Sequence, residues 1–227
     1  MKRELKQVIN KIKDPVLRQI VFELISNLKI SLKDLNNIGL SLDISPAGRS
    51  HHHSYPRGLI EHMISTSKIA MTLCDCAEKV YHGKVNRDLV LAGVLLHDIF
   101  KPSTYVEKEN GTYGNSILGQ KLDHLTLVLC ELYQRKAPID LLHIVAAHHG
   151  KYGPISPRTV EALIVHISDV ADATFNNEIL YAARFLAREC AGAEPTILSA
   201  KDAFDIILEK ETRGCEGVKA LLHKRQS

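Results

Sequence analysis

The sequence predicts an all-α fold, a single helical bundle with a small hairpin or ordered loop inserted into it. Along most of the 227 residues, apolar side chains recur at the three- and four-residue spacing of amphipathic helices. Glycine and proline occur singly between these stretches, so no linker divides the chain. Residues 104–113 alternate instead and contain Asn110-Gly111, a dipeptide typical of tight hairpins. We therefore expect one domain over residues 1–227.

Caps and helix breakers place the helices along the chain. Residues 4–13 and 15–27 should form an N-terminal helical hairpin, with Asp14 as N-cap and Pro15 in the first helical position. Residues 31–44 are ambiguous, and residues 45–58 have no periodicity. Asn86 can cap a later helix. Further helices are expected at residues 59–81, 87–100, 116–135, 138–147, 156–174, 178–190, 200–212 and 216–224.

Composition argues against several classes of protein. No apolar run approaches the roughly 20 residues of a membrane span, and the first six residues, MKRELK, lack the apolar stretch of a signal peptide. A formal net charge of +3 is too small to indicate nucleic-acid binding. The five cysteines are odd in number and form no CxxC pair, which is typical of reduced thiols. We expect a cytoplasmic protein with no membrane partner.

Two adjacent polar residues, His97 and Asp98, end the apolar helix that follows Asn86. Neither side chain suits a buried apolar environment without a partner, and an imidazole beside a carboxylate can bind a divalent metal. Lys101 follows one turn later, and Pro102 should end the helix. The alternative is a helix that simply ends where polar residues meet solvent.

Five groups of potential ligands recur at intervals of 20 to 35 residues. Each interval fits one helix plus a connection, so successive groups can meet at one end of a bundle. The groups are His62, His97-Asp98, His124, His148-His149 and Asp169. A lone histidine on an apolar face is more often a satisfied core residue, but the whole ordered series predicts a metal centre. Mixed histidine and carboxylate ligands suit iron, manganese or zinc better than calcium.

The order and spacing of these groups resemble the signature of the HD-domain phosphohydrolases, an all-helical superfamily. The resemblance covers about residues 45–180, which would form the core, with the N-terminal hairpin and the C-terminal helices packed on it. It implies one or two divalent transition metal ions per chain, Fe²⁺ or Mn²⁺ first and Zn²⁺ next. The first ion would be held by His62, His97, Asp98 and Asp169, and the second by Asp98, His124, His148 and His149.

Residues 52–62, HHSYPRGLIEH, resemble the segment before the first ligand helix in two HD groups. One group is the bacterial 3′–5′ exoribonucleases of the YhaM type, and the other is archaeal and includes cyclic phosphate phosphodiesterases of methanopterin synthesis. Residues 146–150 and 168–172 fit both groups, whereas chain length and residues 85–90 and 161–164 favour the archaeal one. The exoribonucleases would also carry a β-barrel where this chain has two predicted helices. Arg57 stands where both groups usually have a second glycine.

The resemblance implies an enzyme that hydrolyses a small cyclic phosphate ester such as 7,8-dihydroneopterin 2′,3′-cyclic phosphate. One alternative is a 3′–5′ exoribonuclease or nucleotide phosphohydrolase, so nucleic acid is a less favoured substrate. The other alternative is a non-catalytic ligand-sensing domain. A homo-oligomer is a further expectation.

Five residues in or near the ligand series are candidates for catalysis or for contacts with the substrate. Asp98 and Lys101 would be catalytic, with Lys101 neutralising a phosphate oxygen, unless it is an ordinary lysine at a helix C-terminus. The histidines at residues 51–53 can be solvated loop residues. Alternatively, His53 and Tyr55 bind the substrate. Arg57 would add a cation near the substrate.

Overall fold

The computed structural model describes residues 3–32 and 39–226, so part of the ambiguous stretch at residues 31–44 lies outside the described residues. Helices dominate the described residues, and the small sheet has two strands, which confirms the all-α fold class. The helices are α1 (Arg3–Ile9), α2 (Pro15–Ser26), α3 (Gly58–Lys79), α4 (Arg87–Leu96), α5 (Lys101–Thr104), α6 (His124–Gln134), α7 (Ile139–Ala147), α8 (Val160–Ala191) and α9 (Ala200–Gln226). The strands are β1 (Tyr105–Glu107) and β2 (Tyr113–Asn115).

Local signals placed the start of two helices and the hairpin correctly. The Asp14 carboxylate accepts hydrogen bonds from two backbone N–H groups in the first turn of α2, and the Asn86 side chain does the same for α4. Strands β1 and β2 pair antiparallel. Gly111 lies between them with φ of 76°, the left-handed backbone that glycine adopts without strain.

Helix α4 lies at the centre of the bundle and positions the end that carries His97 and Asp98. Every residue from Leu89 to Leu96 is buried, and α4 contacts α2, α3, α7 and α8. Gly93 permits the close approach of α7, because a Cβ atom there would lie 2.4 Å from the Ile144 Cγ2 atom. A second apolar cluster joins the C-terminal half of α8 to α9. The single domain over residues 1–227 stays a prediction.

Several predicted boundaries were wrong, each for a local reason. Helix α4 ends at Leu96, and Pro102 lies in the first turn of α5, where its missing N–H leaves no helical bond unmade. Residues 116–123 form turns, and α6 begins only at His124, capped by Asp123. Residues 156–174 and 178–190 belong largely to one helix, α8, whose N-cap is Thr159. The predicted break at residues 213–215 is real: α9 kinks at Gly214.

The prediction of reduced cysteines was wrong for one pair. Cys190 at the end of α8 and Cys215 after the kink of α9 form a disulfide, with Cα atoms 4.9 Å apart. The packing of α9 on α8 brings the two thiols together, and a separation of 25 residues gives no local signal of it. Cys74, Cys76 and Cys130 are free thiols.

No helix among residues 3–32 and 39–226 is long and apolar enough to cross a membrane. The expected cytoplasmic location stays a prediction.

Candidate metal centre

The predicted ligand groups lie in or directly after five helices, and four of the five groups are near a helix end. His62 lies in the second turn of α3, and His97 and Asp98 directly follow α4. His124 is the first residue of α6, and His148 and His149 directly follow α7. Asp169 lies within α8 and reaches the same region. The chain therefore gathers ligands that are far apart in sequence at one end of the bundle.

A first cluster consists of His62, His97 and Asp169, whose ligand atoms all lie within 4.8 Å of one another. The Nε2 atoms of the two histidines are 3.2 Å apart. The Asp169 Oδ1 atom lies 3.2 Å from Nε2 of His62 and 3.6 Å from Nε2 of His97. Both histidines are fully buried. This is a compact set of two nitrogens and one oxygen facing a common point.

Hydrogen bonds on the far side of each ring determine which nitrogen can bind a metal. In His62, the Nδ1 atom lies 2.7 Å from the Asp172 carboxylate. In His97 it lies 2.9 Å from the Val94 carbonyl oxygen, and in His148 it lies 2.7 Å from the Val145 carbonyl oxygen. These partners only accept, so Nδ1 carries the proton and donates it. In the neutral rings the Nε2 lone pairs of His62 and His97 would face each other, an arrangement that a cation between them would stabilise.

A second cluster consists of His124, His148 and His149, with ligand atoms again within 4.8 Å of one another. The ring centroids of His148 and His149 are 3.9 Å apart with the ring planes tilted by 50°, and His124 lies 5.4 Å from His149 by the same measure. The buried Nε2 atoms of His124 and His148 have no hydrogen-bond partner among the described residues. Free nitrogen lone pairs in a buried pocket fit a metal ligand set.

Asp98 lies between the two clusters and is 1% exposed. Its Oδ2 atom is 3.4 Å from Nε2 of His97, whereas its Oδ1 atom is 3.1 Å from Nε2 of His124. Lys101, also buried, contacts Oδ2. These contacts lack hydrogen-bond alignment, and both Asp98 oxygens are without a hydrogen bond among residues 3–32 and 39–226. A buried carboxylate with one free oxygen toward each histidine cluster fits a ligand shared by two cations.

The electrostatics of the metal-free site are those of a cation-binding centre. Burial alone would lower the pKa of His97, but Asp98 and Asp169 outweigh burial and raise it to about 10. Burial would raise the pKa of Asp98, yet Lys101 and His97 hold it well below its usual value. Burial keeps the pKa of His148 well below its usual value, and its ring is therefore neutral. Without metal, protons thus supply part of the positive charge that the carboxylates require.

Asp172 is the residue that orients His62. Its Oδ2 atom accepts a hydrogen bond from Nδ1 of His62 at 2.7 Å and one from Nε2 of His53 at 2.9 Å. The Thr66 hydroxyl, one turn after His62, lies 3.4 Å from the same Nδ1 atom. Partners of this kind fix the ring orientation and tautomer of a metal ligand.

His53 and Tyr55 lie in this supporting network, which argues against their predicted contact with the substrate. Tyr55 has no exposed surface, and its hydroxyl donates to Glu61 at 2.9 Å while lying 2.8 Å from Nδ1 of His53. His53 is 4% exposed, and its backbone N–H donates to Asn176. Both side chains are engaged by protein partners, because the loop at residues 45–58 contacts α8 through His53.

Arg57 adopts the left-handed backbone, with φ of 69°, a conformation that glycine adopts without strain. Its half-exposed guanidinium lies 3.5 Å from Asp43 and 3.8 Å from Glu4. These carboxylates belong to the N-terminal part of the chain, so the structure pairs Arg57 outside the histidine clusters. The next position, 58, requires glycine, because a Cβ atom there would lie 2.0 Å from the His53 carbonyl oxygen.

His52 lies at the site although the sequence marked it only as part of a loop. Its ring packs on His62, with centroids 5.2 Å apart, and its buried Nδ1 atom has no hydrogen-bond partner among the described residues. Burial and then the Lys101 charge lower the pKa of His52 to about 3, so the ring is neutral. The run of three histidines was the available signal, but a loop without periodicity does not show which ring points inward.

Comparisons with known proteins agree with this geometry. Residues 59–174 match the HD domain family. A dihydroneopterin 2′,3′-cyclic phosphate phosphodiesterase from Methanocaldococcus jannaschii is 41% identical over 211 residues, which cover 93% of this chain and 83% of that protein. No solved structure matches the chain.

More distant relatives are bacterial nucleases. The 3′-5′ exoribonuclease YhaM of Listeria innocua is 34% identical over 142 residues, 58% of this chain and 43% of that protein. The YhaM protein of Bacillus velezensis is 29% identical over 178 residues, 74% of this chain and 51% of that protein. This chain thus spans about half the length of the YhaM relatives and most of the archaeal one. The predicted resemblance is confirmed, and the chain belongs to the HD-domain family of metal-dependent phosphohydrolases.

Proposed function

We propose that the protein is a metal-dependent phosphodiesterase that hydrolyses a small cyclic phosphate ester, with 7,8-dihydroneopterin 2′,3′-cyclic phosphate as the substrate of first choice. The observation that carries this proposal is the placement of Asp98 between two histidine clusters with both oxygens free of hydrogen bonds. The similarity to the archaeal phosphodiesterase, which extends over most of both chains, supports the choice of substrate.

Two divalent ions fit this donor set. His62, His97 and Asp169 would hold the first, His124, His148 and His149 the second, and Asp98 would contact both. Such ions supply a water of lowered pKa and positive charge beside the phosphoryl oxygens. Nitrogen-rich sets with two or three carboxylates suit Fe²⁺ and Mn²⁺, and Zn²⁺ is the next choice.

The chain's own groups around the ions have distinct roles. Asp98 keeps its negative charge at neutral pH, since Lys101 and His97 hold its pKa low despite burial. Asp98 would therefore hold and orient the attacking water as a hydrogen-bond acceptor. Lys101 contacts Asp98 from the adjacent turn, and its Nζ atom would neutralise a phosphate oxygen as a point charge. His52 is neutral and lies beside His62, so it would be better placed to contact the substrate than His53, Tyr55 or Arg57.

The second candidate function is 3′–5′ exoribonuclease activity, favoured by the YhaM relatives. The cations near the candidate site do not favour a long strand. Lys101 is a single cation beside Asp98, enough for one phosphate, and Arg57 is engaged by carboxylates elsewhere. A strand needs a continuous basic groove with stacking aromatics, and one phosphate needs far less.

One assay separates these functions. Protein purified without chelator and then loaded anaerobically with Fe²⁺ or Mn²⁺ is tested on the pterin cyclic phosphate, 2′,3′-cyclic AMP and single-stranded RNA. We expect kcat/KM for a cyclic phosphate to exceed that for RNA ends at least ~10-fold, a discrimination of about 1.4 kcal/mol. Asp98→Asn, with intact helices by circular dichroism, is the inactive control. Faster shortening of RNA would favour the exoribonuclease, and metal-loaded protein inactive on every substrate would favour a ligand-sensing domain.

A further inference from the structure

Helix α8 exposes an apolar face that the candidate metal centre does not use. Six large apolar side chains of this face are each between 44% and 62% exposed. With three exposed polar residues they form a single line along the helix, which we call the α8 stripe. The α8 stripe consists of Val160, Leu163, Ile167, Val170, Thr174, Glu178, Tyr181, Phe185 and Arg188. Asp169 and Asp172 point the other way, toward the histidines.

The spacing of the α8 stripe is symmetric about Thr174. Successive members are 3, 4, 3, 4, 4, 3, 4 and 3 residues apart, so the series reads the same in both directions. A two-fold axis through Thr174 would therefore bring two antiparallel copies of α8 into register. Ile167 would then face Tyr181 of the partner subunit, and Leu163 would face Phe185 of the partner subunit. The alternation of three and four residues is the pattern of helices packed at a small angle.

Charges at the two ends of α8 distinguish this arrangement from a parallel one. Glu161 lies in the first turn and Arg188 in the last turn, where its side chain is 58% exposed. In the antiparallel pair, Arg188 of each copy, 3.9 Å from Glu194 of its own chain, would come near Glu161 of the other, whose carboxylate accepts from the Asn86 backbone, so charges of opposite sign would meet at both ends. A parallel pair would place like charges together. The charge pattern therefore selects a second copy in antiparallel orientation as the partner.

The exposed area is of the size that a dimer requires. The six apolar side chains leave on the order of 500 Å² of apolar surface per chain, and a standard interface buries about 800 Å² per partner. The polar stripe members would contribute much of the difference. At 32 residues, α8 is about 48 Å long, which accommodates the whole stripe. From the symmetry, the charges and the area, we propose that the α8 stripe is the interface of a homodimer.

The first test measures mass in solution. Sedimentation equilibrium of the full chain should give twice the chain mass of 25.3 kDa at micromolar concentration. Ile167→Glu combined with Tyr181→Glu should raise the dimer dissociation constant at least ~100-fold, because it buries charge in an apolar contact. The matched control is Ile139→Glu on α7, where the side chain is 75% exposed, and it should leave the dimer intact. Unchanged helix content and metal content exclude unfolding of the variants.

The second test reads the orientation by disulfide cross-linking in a Cys130→Ser background, which removes an exposed native thiol. Thr174→Cys should cross-link with itself, and Ile167→Cys should cross-link only when combined with Tyr181→Cys. Two Ile167 positions lie about 20 Å apart in the antiparallel pair, too far for a disulfide. A monomer at 100 μM, a dimer that survives the double glutamate variant, or strong cross-linking of Ile167→Cys alone would each overturn the proposal. A monomeric chain would assign the stripe to a different protein.

Discussion

Asp172 should control metal affinity without touching the metal. Its Oδ2 atom accepts from both His62 and His53, and it is 2% exposed. Asp172→Ala leaves the Nδ1–H group of His62 without a partner in a buried site, so the ring loses its fixed orientation and tautomer. We expect weaker metal binding at the cluster that contains His62.

The structure sets the size of this effect. One charge-assisted hydrogen bond to the ligand, of about 1.5–3 kcal/mol, is lost. This corresponds to roughly a 10–100-fold loss of metal affinity, the range seen when partners of ligating histidines are removed. Asp172→Asn keeps an oxygen that can accept from both rings, so it should lose about tenfold or less. Thr66→Val removes only a 3.4 Å contact and should lose less again.

The assay is calorimetric titration of metal-free protein with Mn²⁺ in competition with a chelator, with circular dichroism to check the fold. The expected order of affinity is wild type, Thr66→Val, Asp172→Asn and Asp172→Ala. The reasoning fails if Asp172→Ala binds Mn²⁺ as tightly as the wild-type protein. It also fails if the asparagine and alanine variants lose equal affinity, because retention of the acceptor would then have no value.

Three further predictions concern other groups. Lys101→Met should lower kcat/KM for a cyclic phosphate ester at least ~10-fold at unchanged metal content, since it removes a single charge beside the phosphate; unchanged turnover would exclude Lys101 from the reaction. Metal binding at pH 8 should release about one proton or more, because the pKa of His97 in the metal-free protein is raised to about 10 and a ligand must be deprotonated. Calorimetry in two buffers of different ionisation enthalpy counts these protons, and a count of zero contradicts the prediction. Cys215→Ser should lower the free energy of unfolding by about 3–4 kcal/mol without loss of turnover, because it opens a closed loop of 25 residues. Denaturant titration measures this change, and a loss below about 1 kcal/mol contradicts the prediction.

The sequence predicted those parts of the fold that local chemistry determines. A cap such as Asp14 or Asn86 satisfies backbone groups two and three residues away, so its effect is visible in a short window. The length of α8 is different, because Asn176 looks like a helix-weakening residue. In the structure, Asn176 is buried, accepts from the His53 backbone and donates to Tyr55, so tertiary contacts stabilise the helix there.

The residues of the candidate site likewise divide into those that the sequence predicted and those that it did not. Ligands such as His62 and Asp169 could be found because one residue type recurs at helix-length intervals, and the geometry requires each helix to return to the same end. Supporting groups have no such constraint. Glu61, next to His62 in sequence, reaches His62 only through Tyr55, His53 and Asp172. Their arrangement depends on how the loop at residues 45–58 folds against α8, which no local pattern encodes.

Asp98 shows why neighbouring residues in the sequence can serve two different clusters. Helix α4 ends at Leu96, and the chain turns immediately, so His97 and Asp98 both lie at the helix end, with Nε2 of His97 3.4 Å from Oδ2 of Asp98. His97 joins the first cluster, and Asp98 extends one oxygen toward His124 in the second. A buried carboxylate without aligned hydrogen bonds costs several kcal/mol unless cations compensate it. Lys101 provides one positive charge on the Oδ2 side, whereas Oδ1 lies 3.1 Å from Nε2 of His124 and 3.9 Å from Nε2 of the uncharged His148 ring. An added cation held by His124 and His148 would further compensate the carboxylate from the Oδ1 side, which is the physical reason to expect a metal ion at the second cluster as well as at the first.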